Sequence, residues 1–420
     1  MESNHNLTKS RLVLLYICVS VAFIVWGICD SLIPPFYPNE AKTKGASISQ
    51  SGFVFGIYSL AGMISSPIFG KYGSKISPRY LYIPGALVLA LCTLVFGTLQ
   101  LVESLSLFLC ISYILRILSG SVNAATWGAL MAALMTIFPD KVSKVVAASE
   151  FFSCGGFVLG PAIGAYFYNL GGFILPFEIC GSISILIPII LLLVIPPISA
   201  SPTNNNRESQ FGTMKLLKLP GVLLPLLDTF LTSFGLCLID ATIGIYLQSM
   251  GASLNVVSIA FSISSASYMI STILVGYIGD KISNPTILSL TGYIGLIVTL
   301  LIIGPLPFIP VEPSTTMTLI ALGLYGFFDC FIFVSSFTRA EMSATQNGFE
   351  ENTRTYQLIS GLWMTFNSMG NFLGPSIGGI VVEVLGFRNA IMILWFPFIL
   401  MLIFNIIELR HLNREYQSID

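Results

Sequence analysis

The decapeptide GNFLGPSIGG, residues 370–379, places four glycines and a proline inside a run that is otherwise apolar enough to form a membrane helix. A closely similar stretch, GFVLGPAIG, occupies residues 156–164 in the other half of the chain. Glycines four residues apart let two membrane helices approach closely, and a proline inside a helix removes a backbone donor and bends the helix. The two stretches therefore predict closely packed, bent helices in a duplicated membrane protein.

The composition places the chain in a membrane. Of its 420 residues, 55% are hydrophobic and 9% are charged, whereas ordinary globular chains carry about 25% charged residues. Apolar runs near 20 residues can span a bilayer, and they must be helices because backbone polar groups have to be paired within lipid. The sequence therefore predicts an all-α membrane protein with twelve transmembrane helices, at residues 12–35, 48–69, 80–101, 105–137, 145–168, 173–196, 219–249, 255–279, 286–309, 315–339, 356–385 and 388–409.

Lysine and arginine are unevenly distributed between the two sets of loops. Most of the 19 fall in segments that would share a side with both termini, whereas the other side holds Lys42, Lys44 and Arg388. Positive charge is concentrated on the cytosolic side of membrane proteins. We therefore expect both termini to be cytosolic.

Several kinds of chemistry find no support in the sequence. The eight cysteines lie within predicted helices and the two histidines, His5 and His411, in the terminal segments, so neither a disulfide framework nor a metal site is expected. No nucleophile–base pair or phosphate-binding loop is recognisable. We expect neither enzyme activity nor a bound cofactor.

The two halves of the chain repeat each other. Met63–Ser65 recurs as Met269–Ser271, an offset of 206 residues, and the glycine–proline motifs recur at an offset of 214. Such duplication predicts two homologous six-helix bundles with a substrate site between them near the membrane midplane. We assign the bundles and their connections as residues 1–197 (N-terminal bundle), 198–218 (cytosolic linker), 219–409 (C-terminal bundle) and 410–420 (cytosolic tail).

These motifs resemble those of the major facilitator superfamily, and in particular its drug–proton antiporters. The pattern G-x-x-x-G-P-x-x-G-G is complete in the second half, whereas Ala165 replaces its last glycine in the first. Ser74 replaces the aspartate of a loop motif that survives partly in the second half. The resemblance implies the major facilitator fold, with proline-bent helices that seal the side away from the cytosol. It implies gating roles for Gly156, Gly160, Pro161, Gly164, Gly370, Gly374, Pro375, Gly378 and Gly379, and for Gly276, Asp280 and Lys281 of the loop motif.

Along nearly the whole chain the sequence resembles the vesicular amine transporters, and most of all their vesicular polyamine transporter branch. The stretches that carry this resemblance are residues 36–47, 146–177 and 347–351. Two features depart from the monoamine branch. The second predicted helix lacks a lysine, and Met364 stands where those members carry an aspartate.

Acidic residues outnumber basic residues within the predicted helices. Arg116 is the one base, whereas seven carboxylates lie within helices or near their ends: Asp30, Glu150, Glu178, Asp228, Asp240, Asp329 and Glu383. An aspartate at the centre of a membrane helix costs about 2.5–3.5 kcal/mol on insertion, so such residues usually mark function. The excess of acid indicates a cationic substrate, a proton, or both.

Depth in the membrane and resemblance select the candidate site residues. Asp240 falls where the amine transporters carry an acidic residue, and Asp329 resembles an aspartate of the monoamine branch. Tyr325 lies one turn before Asp329 and Trp26 one turn before Asp30, so each aromatic ring is a candidate cation–π partner. An ion pair with Arg116 is the alternative role for Asp30. Glu150 is the fourth candidate; packing is favoured for Trp127 and Trp363, and solvation at helix ends explains Glu178 and Asp228.

A proton-coupled antiporter is the function that these residues and the resemblance predict together. One site carboxylate would hold either a proton or a cation, moving a polyamine (spermine or spermidine) from the cytosol into acidic vesicles. Plasma-membrane export of drugs or monoamines is the first alternative, and a transporter-like sensor without transport is the second. We expect a monomer in the lipid bilayer, without nucleic acid, in a secretory or endosomal vesicle membrane, with the plasma membrane as the alternative location.

Overall fold

The structure is a computed structural model that describes residues 9–46, 48–73, 76–138, 141–195, 213–252, 254–279, 281–282, 284–304 and 314–417. Within these residues twelve helices are long and apolar enough to cross a membrane, which confirms the predicted number. The helices are α1 (Lys9–Ser31), α2 (Ile33–Thr43), α3 (Ile48–Gly73), α4 (Pro78–Gly97), α5 (Leu105–Ile137), α6 (Val142–Gly171), α7 (Ile174–Val194), α8 (Thr213–Leu217), α9 (Pro220–Ser249), α10 (Leu254–Gly279), α11 (Thr286–Ile303), α12 (Thr315–Gln346), α13 (Thr353–Leu385) and α14 (Phe387–Gln417).

Several helix boundaries differ from those predicted, and the first and last predicted helices are two clear cases. The first predicted helix, 12–35, is divided, because α1 ends at Ser31 and α2 starts at Ile33 with prolines in its first turn. Proline suits the first turn of a helix, where a backbone donor has no partner to lose. The last helix continues to Gln417, through much of the segment predicted as a tail. We call residues 9–195 the N-half and residues 220–417 the C-half.

Glycines of α6 and α13 bring these helices close to α1 and α9. A Cβ atom on Gly156 would lie 2.9 Å from the Cα atom of Gly27, and one on Gly370 would lie 2.7 Å from the Cβ atom of Ser233. Gly370 is 214 residues after Gly156, and Ser233 is 206 residues after Gly27. The contact of Gly370 with Ser233 is therefore the second-half equivalent of the contact of Gly156 with Gly27. The same packing is therefore built twice.

Two further contacts repeat between the halves at the offset of 206. Ser65 Oγ donates to the carbonyl of Ser121 at 3.0 Å, and Ser271 Oγ donates to the carbonyl of Phe327 at 2.7 Å. Gly120 packs against the backbone of Tyr58 as Gly326 packs against that of Ser264. Residues of α5 and α12 can therefore be compared position by position at this offset.

The glycines of the two motifs face their own halves, whereas a Cβ atom on Gly56 of the N-half would lie 3.7 Å from the ring of Phe372 in the second motif; the predicted role of the motifs in the seal stays a prediction. Gly156, Gly160 and Gly164 pack on α1 and the start of α2, and Gly370, Gly374 and Gly378 pack on α9, in each case within one half. Pro161 and Pro375 lie inside continuous helices, and Gly379 follows in the same helix. The glycines serve close packing within each half because small residues let α6 and α13 approach their own bundles.

The halves also meet through other residues. Successive spans alternate in direction, so the start of α1 and the end of α14 lie on one side of the membrane, which we call the terminal side. Near it, the hydroxyls of Thr136 and Thr353 lie 2.9 Å apart, and those of Ser143 and Thr338 lie 3.1 Å apart.

The second-half loop motif belongs to the same terminal-side contact. A Cβ atom on Gly276 would lie 2.7 Å from the Cβ atom of Ala147 in the opposite half. Lys281 donates to the Tyr277 hydroxyl at 2.5 Å, whereas Asp280 lies outside the described residues. This position fits the predicted gating role of Gly276, which stays a prediction.

Replacing Gly156 by Ala is expected to destabilise the protein by about 1–3 kcal/mol, because the added methyl group meets the backbone of α1 and overpacks the contact. The matched control is Gly155→Ala, whose added methyl group would lie 3.9 Å from the Met269 sulfur, an ordinary contact. Thermal unfolding of the purified variants in detergent measures the difference. Equal stability of the two variants would contradict the packing role of Gly156.

Candidate functional site

A cavity of about 320 Å³ lies between the two halves and contains all four candidate acids. It is the centre of the predicted site, because Asp30 and Glu150 reach it from the N-half and Asp240 and Asp329 from the C-half. Its lining includes Trp26, Asp30, Tyr58, Asn123, Trp127, Glu150, Ser233, Asp240, Tyr268, Asp329, Phe333, Trp363, Met364, Asn367, Ser368 and Asn371.

Three of the four carboxylates have no cationic partner within the residues that the structure describes. Among the described residues, no lysine or arginine forms a salt bridge with Glu150, Asp240 or Asp329. Asp240 is exposed to the cavity, and Asp329 is only 2% exposed with one carboxylate oxygen that lacks a hydrogen-bond partner in the described part of the chain. Buried charge without a partner is costly, so this group of acids calls for a proton or a cationic ligand.

The fourth carboxylate, Asp30, has a partner within the protein. The Arg116 guanidinium lies 3.8 Å from the Asp30 carboxylate and 4.0 Å above the ring of Tyr58. This contact is the ion pair that the sequence analysis gave as the alternative role for Asp30. It compensates the charge of Asp30 and leaves Glu150, Asp240 and Asp329 as the uncompensated acids of the cavity.

Aromatic rings form one wall of the cavity. The rings of Trp26 and Trp127 lie 4.6 Å apart, and Phe23 packs edge-on against Trp127 at 4.8 Å. Trp363 is buried and donates from its indole nitrogen to Ser336 Oγ at 3.0 Å. Trp127 and Trp363 belong to the packed core, as expected, and they also line the cavity.

Tyr325 does not line this cavity, which corrects its prediction as a cation–π partner. The side chain is fully buried in the C-half core, and its hydroxyl lies where a side chain on Gly235 would otherwise be. Residues four apart on a helix are neighbours but point in directions that differ by about 40°. That difference carries Tyr325 away from the cavity while Asp329 faces it.

Amide side chains of the cavity were missed by the sequence analysis. Asn367 accepts a hydrogen bond from Ser233 Oγ at 2.7 Å, and Asn371 accepts one from Cys237 Sγ at 3.3 Å. Asn123 occupies in α5 the position that Asp329 occupies in α12, at the offset of 206. Two asparagines one turn apart in an apolar helix, and the repeat offset itself, were the features that could have revealed them.

A second buried charge network lies in the C-half, outside the cavity. Asp228 is 0% exposed and accepts hydrogen bonds from Arg339 at 2.5 Å, Tyr293 at 2.6 Å and Asn405 at 3.0 Å. Arg339 also pairs with Glu408. The structure thus corrects one assignment, because Asp228 does not reach solvent at a helix end, and it shows that Arg339, the last residue of the predicted helix 315–339, is buried.

A helical protein whose two repeated halves enclose a polar cavity has the architecture of a membrane transporter. The family model described as Major Facilitator Superfamily matches residues 15–349. The solved structure of the transporter FucP in its outward conformation aligns with a TM-score of 0.73 at 13% identity, covering 93% of this chain and 97% of that one. The chain belongs to the Major Facilitator Superfamily, whose members are transporters of small solutes and not enzymes.

Three relatives are informative. MFS-type transporter SLC18B1 of Mus musculus is 30% identical, over 93% of this chain and 84% of the relative. Multidrug resistance protein 2 of Bacillus subtilis is 24% identical, over 91% and 92%. The synaptic vesicular amine transporter of Mus musculus is 23% identical, over 86% and 66%. The predicted resemblance to the vesicular amine transporters is thereby confirmed.

Proposed function

We propose that this chain is a proton-coupled antiporter that moves an organic cation, with polyamines as preferred substrates, from the cytosol into acidic vesicles by alternating access. The observation that carries this proposal is the group of three carboxylates in the cavity between the halves, for which the described residues supply no cationic partner. Asp240, Asp329 and Glu150 are the proposed binding residues. Asp30 with Arg116 is the proposed neutral pair beside them.

Competition for these carboxylates would couple the two ions. A carboxyl group shielded from water is stable when it is protonated or when it is ionised and paired with a cation. An ionised carboxylate without a partner is unstable there. Facing a neutral cytosol, the site would release its proton and take an amine. Facing an acidic lumen, it would be protonated again and release the amine, so the proton gradient supplies the direction.

The number of acids favours a substrate with several charges. Glu150 reaches the cavity from the N-half, and Asp240 and Asp329 reach it from the C-half. A polyamine carries amines spaced along a chain, so it can pair with acids on both halves at once. The name of one relative, the synaptic vesicular amine transporter, and the resemblance to the polyamine branch both support an amine as the substrate.

Export of lipophilic cations is the second candidate function. The aromatic side chains of Trp26, Trp127 and Phe333, which line the central cavity, favour it, because aromatic faces attract organic cations. The relative named a multidrug resistance protein supports it as well.

The distribution of positive charge supports the proposed orientation and location. We assign the terminal side to the cytosol, the linker 198–218 to the same side and the two six-helix bundles to 1–197 and 219–409. A monomer in a vesicle membrane is the proposed state. Gly276, Asp280 and Lys281 are proposed to close the cytosolic side by contact with α6.

Uptake into acid-loaded proteoliposomes tests the function. The purified chain is expected to accumulate spermidine in preference to serotonin, choline and ethidium, and to lose accumulation when nigericin collapses the pH difference. Preference for ethidium would favour export of lipophilic cations. Binding without any uptake would favour a sensor, and uptake that is unchanged without the pH difference would refute proton coupling.

A further inference from the structure

A second cavity, of about 90 Å³, lies inside the N-half beside the central one. We call it the side pocket, lined mainly by apolar side chains of α1, α4, α5 and α7. The two cavities adjoin at five residues that line both of them: Trp26, Asp30, Tyr58, Asn123 and Trp127.

The repeat shows why the side pocket exists in one half. Ser119, a small residue of α5, lines it. At the offset of 206, the equivalent position of α12 is Tyr325, whose large side chain is fully buried in the C-half core. Ser119 thus leaves open in the N-half a space that a tyrosine ring fills in the C-half.

Where the two cavities adjoin, two buried polar atoms have no hydrogen-bond partner in the described part of the chain. Asn123 is 8% exposed and Trp127 is 5% exposed. Within the described residues, neither Asn123 Oδ1 nor Trp127 Nε1 has a hydrogen-bond partner. Buried polar atoms are normally paired, so the unpaired acceptor Asn123 Oδ1 is suited to an ammonium group placed where the two cavities adjoin.

The interior of the side pocket suits an apolar group and not a second ammonium group. Leu89, Ala90, Phe96, Leu130 and Ile187 form much of its wall. The charges at its edge, Asp30 and Arg116, compensate each other, so no free carboxylate remains for another cation. Its volume of about 90 Å³ is smaller than that of an apolar cavity of ~150 Å³ that accepts benzene, so a short alkyl chain suits it.

We infer that the side pocket binds the apolar end of an organic cation whose amine lies in the central cavity. The amine pairs with the uncompensated acids and donates to Asn123 Oδ1, and an alkyl group of about three or four carbons extends past Trp127. This inference rests on the proposed function for the amine, and it adds a preference for N-alkylated amines over unsubstituted amines of equal charge.

Ligand binding to the purified full-length chain tests the inference. The two probes are spermidine and N-butylspermidine, with dissociation constants from tryptophan fluorescence, since Trp26 and Trp127 border the pocket. The butyl derivative is expected to bind about 10-fold more tightly or better, because each buried methylene group adds to affinity. In Ser119→Tyr, where the ring fills the pocket as Tyr325 does in the C-half, the ratio of the two constants is expected to fall to about 1.

Two further variants keep the test decisive. Ser119→Ala leaves the pocket open and should keep the ratio, whereas Ala90→Leu fills the pocket from α4 and should abolish it even if Ser119→Tyr does not fold. A ratio near 1 in the unmodified chain, or one unchanged in both filled variants, would overturn the inference. If the inference is overturned in this way but the chain still takes up spermidine, the proposed antiport is unaffected. If filling the side pocket abolishes the ratio but the chain takes up no spermidine, the side pocket is supported and the proposed transport is refuted.

Discussion

Uptake of spermidine driven by an acidic interior is expected to fall by about 30-fold or more when Asp240 is replaced by Asn. The amide keeps the shape of the side chain but can neither pair with an ammonium group nor carry the exchanged proton. Loss of one partner from a desolvated charge pair costs about 2–5 kcal/mol, and 2 kcal/mol corresponds to about 30-fold in affinity. Initial rates in proteoliposomes with a fixed pH difference measure the effect.

Glu178→Gln provides the matched control for Asp240→Asn. Glu178 is an exposed carboxylate within a membrane span, and it does not line the central cavity. Its neutral variant should transport at nearly the unmodified rate. If Asp240→Asn also retained full uptake, Asp240 would be removed from the site.

Replacing Arg339 by Met is expected to lower the free energy of unfolding by about 3–5 kcal/mol, the usual cost of leaving one member of a buried ion pair alone. Asp228 would remain at 0% exposure with its main cationic partner gone. Reversible denaturation in SDS, followed by circular dichroism, measures the change. The matched control is Lys42→Met, which removes an exposed cation and should change stability little, since surface charges contribute little.

A double variant tests whether Arg339→Met lowers stability because it leaves a buried charge unpaired or because it changes the shape of the side chain. Asp228→Asn combined with Arg339→Met removes the fully buried pair and leaves Glu408, which is partly exposed, so most of the lost stability should return. Coupling between the two substitutions is expected because they share one network. Equal stability of Arg339→Met and the unmodified chain would show that the network does not support the fold.

The fold was predictable because its main determinants repeat along the sequence. The lengths of the apolar runs predicted the twelve membrane spans, and Gly156 and Gly370 indicated which helices are equivalent in the two halves. The role of these glycines was not predictable in full, because spacing shows that a helix packs closely but not on which neighbour. The structure is needed to show that Gly156 contacts α1, so that this packing lies within one half.

The acids of the cavity were predictable for a similar reason. A carboxylate in an apolar helix is expensive, so Asp240 and Asp329 stood out without any knowledge of their neighbours. Contacts between residues far apart in the sequence were harder to predict. Arg339 and Asp228 are 111 residues apart, and no local pattern shows that one satisfies the other. The inward direction of Tyr325 likewise depends on the space beside Gly235 on another helix.

The repeated contacts suggest how such a protein can change its specificity over evolution. The backbone approaches at Gly120 and Gly326 match, yet Asn123 faces the cavity in one half where Asp329 does in the other. Residues that hold the helices together are thus separate from residues that meet the solute. Mutations at the second set can alter what is carried without loosening the scaffold, which makes the architecture tolerant of new cargo.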